Sequence, residues 1–293
     1  MATNINVLKS YYDTVKRQLK LDIVSDATGK AIHDFALLCL RFLESECDSI
    51  PLTSLVPGKS YVSYARRGRK TALSRPANVA LFNPDSKTVS GHWAAWWHGE
   101  IDKADLARMS YTIALAPCIA LELFDRQNKK GPATYFECLI GHIFAKSIGT
   151  NPHKKVSLPI LGRQVRMTMD FLFDMGADNK HVHLPVKMST RERVVQAWAH
   201  QRLLDAAYGA DRYRGIMVCF AETKLSMKKR EVVEICVPDQ WLAYQSLLAK
   251  MDRIYYFDVP ARYAKLALDL PDLFKIKQFG EFFIEKASVL SAK

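Results

Sequence analysis

Apolar positions in the first third of the chain recur at helical spacing, which predicts helices over residues 3–22, 30–46 and, as one long apolar stretch, 102–127. From residue 131 the rhythm becomes mixed. "PATYFECLIGHIFAKSIG" (132–149) reads as a helix, with Thr134 and Glu137 at capping-box spacing and Gly149 as its stop. "RQVRMTMDFLFDM" (163–175) alternates as a strand does. That alternation puts Met167, Met169, Phe171 and Phe173 on one face and Thr168, Asp170 and Asp174 on the other. "GADNK" turns, and "HVHLPVKM" (181–188) is a second strand, with Val182, Leu184 and Val186 directed at a core and His181, His183, Pro185 and Lys187 directed away from it. Ser189 is placed to cap the next helix, with Glu192 three residues later, and Gly209 to end it. "GIMVCFAE" (215–222) and "REVVEICV" (230–237) read as strands, 238–251 as a helix, "RIYYFDV" (253–259) as a last strand, and the C-terminus as helix. Strands interleaved with helices predict an α/β fold, and the hairpin over 165–188 makes the central sheet mixed. The expected division is a mainly helical region over 1–128 and an α/β core over 129–293.

Composition changes this picture in two ways. With 49% hydrophobic residues the chain can bury a large core, and with 42 Lys+Arg against 30 Asp+Glu it carries a formal net charge of +12, which suits a polyanionic partner. Arg66, Arg67, Arg69 and Lys70 form a basic cluster suited to phosphate contact; the aromatic run after it holds Trp93, Trp96 and Trp97, suited to core packing or to stacking on an extruded base. The six cysteines contain no C-x-x-C pair and most sit in apolar runs, as small hydrophobes do. No apolar signal-peptide core opens the chain, and no uninterrupted apolar stretch reaches membrane-spanning length, so the expectation is a soluble protein of a reducing cytoplasm without membrane association. No Gly-rich phosphate loop, nucleophile elbow or cofactor motif is present.

The candidate chemistry lies in the hairpin, which can bring Asp170 and Lys187 onto one polar surface. Glu137 shares a helical stripe with Ile140, Gly141 and Phe144, where a carboxylate is costly unless a cation or donor compensates it. Two carboxylates and a lysine are what a hydrolytic Mg²⁺ site requires: the carboxylates hold the hard cation and the lysine orients water or stabilises developing charge. His181 and His183 have the spacing of an H-x-H metal pair but no readable third ligand.

Asp170, a hairpin, Lys187 and then Arg191-Glu192-Arg193 resemble the PD-(D/E)XK nucleases, and more narrowly the type II restriction endonucleases that cut CCGG, CCNGG or CCWGG sites. The resemblance covers roughly residues 130–240. It implies a restriction-endonuclease-like core, with Glu137 and Asp170 as Mg²⁺ ligands and Lys187 as the catalytic lysine. Arg191, Glu192 and Arg193 would be readers of C·G pairs, the arginines on guanine O6 and N7 and the glutamate on cytosine N4. It also implies cleavage of double-stranded DNA at a palindrome with 5′ overhangs, a homodimer, a cognate DNA methyltransferase, and an N-terminal region serving DNA contact or dimerisation.

The chain departs from that pattern in two ways. Pro185 stands where an acid usually precedes the lysine, and the helical positions that carry a replacement glutamate hold His200 and Gln201, either of which can bind water or, less well, metal. Asp174 and Asp178 are substitutes for Asp170, which ranks first because it lies within the strand. The competing readings are a structure-specific repair or recombination nuclease and a non-catalytic DNA-binding regulator.

Overall fold

The structure is a computed structural model that describes residues 5–68, 72–125, 127, 130–176, 179–190, 194–210 and 212–290, with the Trp97 side chain left out. It resolves into two compact units, one of residues 1–142 with 223–234, the other of 143–222 with 235–293. The first therefore reaches further along the chain than the expected boundary at residue 128, and recruits a hairpin from the second half.

In the first unit, helices Ile5–Leu21 (α1) and Asp26–Glu46 (α2) precede strands Cys47–Ser54 (β1), Tyr61–Arg66 (β2) and Ala77–Asn78 (β3). Helices Ser86–His98 (α3), Lys103–Phe124 (α4) and the start of Lys130–Ile148 (α5) follow. Helix α2 starts four residues before its predicted N-terminus because the Ser25 side chain accepts the Thr28 N–H. Helix α4 is long and apolar enough to cross a membrane, yet 83% of its apolar window is buried: it is the unit's core helix. The region is less helical than its pattern predicts. Strands β1 to β3 and, from the second half, Thr223–Ser226 (β9) and Glu231–Glu234 (β10) form a sheet of order β3-β2-β1-β10-β9, with β1 parallel to β10. Leu52, Tyr61, Ala65 and Val232 close its core. With Pro51 inside β1 and Gly58 in the turn after it, these strands carry too little alternation to be read from the pattern alone.

Helix α5 begins at Lys130, so Thr134 lies inside it and the expected capping box does not form. Pro132 is tolerated in the first turn, where its missing N–H has no intrahelical partner to lose. Gly149 ends the helix in a left-handed conformation, its N–H donated to the Ala145 carbonyl at 2.8 Å.

The second unit is built on a mixed sheet of order β12-β11-β8-β6-β5-β4, with β7 paired to β8. Its strands are His153–Ile160 (β4), Arg163–Phe173 (β5), His181–Leu184 (β6), Val186–Lys187 (β7), Tyr213–Cys219 (β8), Arg253–Tyr256 (β11) and Ile276–Gln278 (β12). Pairs β4–β5 and β5–β6 are antiparallel, as the predicted hairpin requires; β6, β8, β11 and β12 run parallel. The apolar run Ile216–Cys219 is buried throughout because β8 sits inside that parallel part, covered on both faces. Helix Val195–Tyr208 (α6) and helix Pro238–Ala243 (α7), continued by the π-helical segment Tyr244–Leu248, pack a core around Trp198, Trp241, Tyr256 and Tyr263. Helices Ala261–Asp269 (α8) and Gly280–Leu290 (α9) flank β12 in the chain.

Two expectations change here. Both faces of β6 are covered: Val182, His183 and Leu184 are all fully buried, so no exposed polar face exists along it. Helix α6 starts at Val195 with no side-chain cap, so Ser189 does not begin it. Instead Thr190 is held back, its N–H and hydroxyl both donated to Glu222 Oε1 at 2.8 and 2.6 Å.

Candidate active site

Asp170 sits at an irregularity of β5. Lys155 faces Thr168 while His153 faces Leu172, so residues 169–171 of β5 stand opposite Lys154 alone. A bulge of this kind breaks strict alternation and re-aims a side chain. Leu172, not Phe171, accordingly joins Met169 in the cluster with Val156, Leu158 and Leu204, contrary to the predicted apolar face.

Pro185 explains how Lys187 meets this aspartate. It has no N–H for the ladder, so the β5–β6 register ends at Phe171 opposite Leu184, and the chain continues as β7, paired only with β8. The Pro185 and Lys187 carbonyls accept the Val218 and Phe220 N–H groups, both at 2.9 Å. On its open side the Val186 N–H donates to Asp170 Oδ2 at 2.9 Å, and the same oxygen accepts from Lys187 Nζ at 2.8 Å. Both side chains retain partial exposure, 25% for Asp170 and 18% for Lys187. The pair is thus fixed by backbone and reachable by a ligand. Asp174, the substitute, is exposed, its Oδ1 3.1 Å from His181 Nδ1 and hydrogen-bonded by the Gly176 N–H; Asp178 lies outside the described residues.

His200 and Gln201 separate clearly. Gln201 is buried and fully engaged: Nε2 donates to Asp205 Oδ1 at 2.8 Å and to the Tyr213 carbonyl at 2.9 Å, and Oε1 pairs with His183 Nδ1 at 2.9 Å. Because both amide hydrogens are committed, Oε1 is the acceptor and His183 Nδ1 carries the proton. Gly215 on β8 makes room for this network, since a Cβ there would lie 2.7 Å from Gln201 Oε1. Burial pushes the His183 imidazole down to about 4. His200 is half-buried and close enough to Asp170 and Lys187 to feel both charges; burial lowers its pKa first, with Lys187 acting in the same direction and Asp170 against it. Gln201 is thus committed as scaffold, while His200, its ring centroid 6.3 Å from that of His183, keeps partial exposure.

The histidines of the H-x-H spacing have separate partners: His181 Nδ1 accepts the Met175 N–H and His183 meets Gln201. No three His, Cys, Asp or Glu side chains converge as a metal cluster among the described residues. Glu137 is half-buried on the part of α5 that belongs to the first unit. The Arg66 guanidinium packs over the Phe124 and Phe42 rings, at 4.8 and 5.9 Å from their centroids, and Arg67 faces Asp48 at 3.6 Å. Trp93 is buried against His33 and Trp96, as core packing predicts. Arg69, Lys70, Arg191, Glu192 and Arg193 lie outside the described residues. Sequence reading missed Glu222 and its hold on Thr190; the available signal was an acid closing the apolar run "IMVCFAE".

No protein-family model matches the chain, and no curated protein matches it by sequence. Among solved structures, the type IIP restriction endonuclease Kpn2I is similar with a TM-score of 0.82 and 24% identity over 98% of both chains. The complex of restriction endonuclease PspGI with substrate DNA gives a TM-score of 0.44 and 13% identity, over 70% of this chain and 92% of that one. The match over nearly the whole length shows the architecture: the chain has a restriction-endonuclease fold, a mixed sheet flanked by helices.

Proposed function

We propose that this protein is a type II restriction endonuclease that cleaves double-stranded DNA at a palindrome with a CC…GG core, of CCGG or CCNGG type, with Mg²⁺ as cofactor and 5′ overhangs as product. The observation that carries the proposal is the Asp170–Lys187 pair, locked at 2.8 Å where the bulged strand β5 and the proline-broken strand β6–β7 part. A carboxylate and a lysine held rigidly by backbone, partly open to a ligand, within a restriction-endonuclease fold, suit phosphodiester hydrolysis better than a surface ion pair.

The residues fit a hard cation. Asp170 Oδ2 is taken by two donors, and Oδ1 accepts no hydrogen bond among the described residues. One free carboxylate oxygen suffices for Mg²⁺, which keeps waters and shares substrate phosphate oxygens rather than filling an all-protein cage. When bound, the ion would polarise the phosphoryl oxygen and lower the pKa of a water. Asp170 would hold it, with Glu137 as the further carboxylate that the resemblance assigns. Lys187 Nζ, anchored by Asp170, would orient the attacking water and stabilise charge developing on the phosphate. His200 would position that water in place of the missing helical acid. Arg191, Glu192 and Arg193 would read the C·G pairs, while the basic cluster from Arg66 to Lys70 contributes positive charge toward phosphates. A palindromic site calls for a two-fold homodimer, one centre per strand, and for a cognate methyltransferase protecting host DNA.

The test is digestion of phage DNA with Mg²⁺, against EDTA and Lys187→Ala controls. Discrete bands that vanish in both controls are expected, and end sequencing would give site and overhang. A smear would replace this reading with a structure-specific nuclease, and a gel shift without cutting would replace it with a regulator.

A further inference from the structure

Strands β4 and β5 form a ribbon whose two halves differ in kind. Its root is packed: Val156, Leu158 and Met169 lie against Leu204 of α6, and the Tyr208 hydroxyl donates to the Ser157 carbonyl at 2.5 Å. Its outer half is bare. Ile160 and Val165 are exposed, and Leu161 at the tip is 96% exposed. Leu161 and Gly162 both have positive φ, +49° and +75°, the conformation of a type I′ hairpin turn that favours Asn-Gly. A leucine there is unfavourable twice, through left-handed backbone strain and through an apolar side chain left in water. Strain and exposure combined in one residue point to a use outside the fold.

The charge on the ribbon indicates what meets it. No Asp or Glu occurs from Ser147 to Met169, while Lys154, Lys155, Arg163 and Arg166 do. Lys155, Arg163 and Arg166 are exposed and have no carboxylate partner among the described residues. A second protein copy is a poor match, because two identical ribbons would set like charges against each other with no acid between Ser147 and Met169 to compensate them. A polyanion is a good one. Two strands about 4.8 Å apart make a ribbon that a major groove of about 12 Å admits. We infer that the β4–β5 ribbon is a DNA arm lying in the major groove, with Lys155, Arg163 and Arg166 on phosphates and Leu161 as an apolar tip against the bases.

The placement follows from the strand itself, and it rests on the nuclease reading only through Asp170. From Asp170 to Arg163 the strand spans roughly 23 Å, which is about seven base pairs of duplex. The arm therefore contacts DNA outside a short recognition core, on its flanks.

The experiment measures duplex binding by the Lys187→Ala protein, which should not cut, with flanks of three or twelve base pairs on each side of the site. Into this background go the ribbon triple variant Lys155→Ala/Arg163→Ala/Arg166→Ala and a charge-matched control on α1, Lys9→Ala/Arg17→Ala/Lys20→Ala. The expected result is tighter binding of the long duplex, an advantage lost in the ribbon variant. Its log–log salt slope should fall by about 3, and its affinity at 0.1 M salt by about 10²–10³-fold, at about 0.9 per phosphate contact. Leu161→Ser should weaken long-duplex binding while leaving the salt slope unchanged. An unchanged slope in the ribbon variant, or an equal loss in the α1 control, would overturn the arm. So would conversion of dimers to monomers with DNA binding intact, which would make a second copy the occupant. Slope loss without any site preference would keep the arm and reject the restriction reading; no duplex binding by the background protein would reject both.

Discussion

The division of labour between Gln201 and His200 gives the sharpest test of the site. Gln201→Met keeps the side chain's length and volume and removes its hydrogen bonding. The change leaves the His183 Nδ1 proton and the Tyr213 carbonyl without their buried partner, and removes the Gln201 donor from Asp205. Each buried polar group so orphaned costs about 1–3 kcal/mol, and Asp205, being only half-buried, recovers water. With two orphaned groups and some relaxation, the expected destabilisation is about 3 kcal/mol. Urea unfolding at neutral pH would read it as a lower midpoint at unchanged m-value. His200→Ala should behave oppositely, moving stability by less than about 1 kcal/mol, as partly exposed positions do, and lowering single-turnover cleavage by about 10²-fold. If Gln201→Met left the midpoint in place while abolishing cleavage, the glutamine would belong to the reacting centre and the assignment of His200 would be wrong.

Three further outcomes follow from the same geometry. Asp170→Asn weakens the partner of Lys187 and the carboxylate that would hold Mg²⁺, so cleavage should fall by about 10³-fold or more while the mutant still binds duplex; cutting at the normal rate would remove Asp170 from the site. Glu222→Gln retains an oxygen acceptor for Thr190 and for the Tyr256 hydroxyl, whereas Glu222→Leu strands those donors and should cost about 3 kcal/mol or more; equal melting temperatures for the two would refute the anchoring role. Because the folded His183 pKa, about 4, lies below its ordinary value of 6.5, the unfolded chain binds the extra proton first. The stability of the neutral form is present above about pH 6.5 and is lost as pH falls toward 4, by up to about 3 kcal/mol; His183→Asn should flatten that slope, and a parallel pH profile would show that other groups cause it.

Much of the site was legible because its signals are local. Alternation along residues 163–173, a turn, and a second strand ending in lysine place Asp170 and Lys187 on neighbouring strands, and a glycine that accepts positive φ marks the end of α5 as it does the end of α6. Side-chain periodicity and turn chemistry are properties of neighbouring residues, so the chain states them wherever it is read. What lay beyond reach depends on partners distant in sequence. The bulge at Asp170 arises from register with β4, and the choice between His200 and Gln201 from whether His183 and Tyr213 lie across from the helix. The anchor of Thr190 is Glu222, 32 residues further along the chain. Strand β10 lies within the predicted strand over 230–237, whereas β9 falls between the predicted strands, and which sheet they join is settled by Thr53 and Ser54 meeting Glu231 and Val232. Backbone hydrogen bonding is indifferent to sequence distance, and a strand carries no label for its neighbour. Local pattern therefore determined most of the helices and the hairpin that carries Asp170 and Lys187; three-dimensional pairing decided the sheet of the first unit and which distant side chains meet.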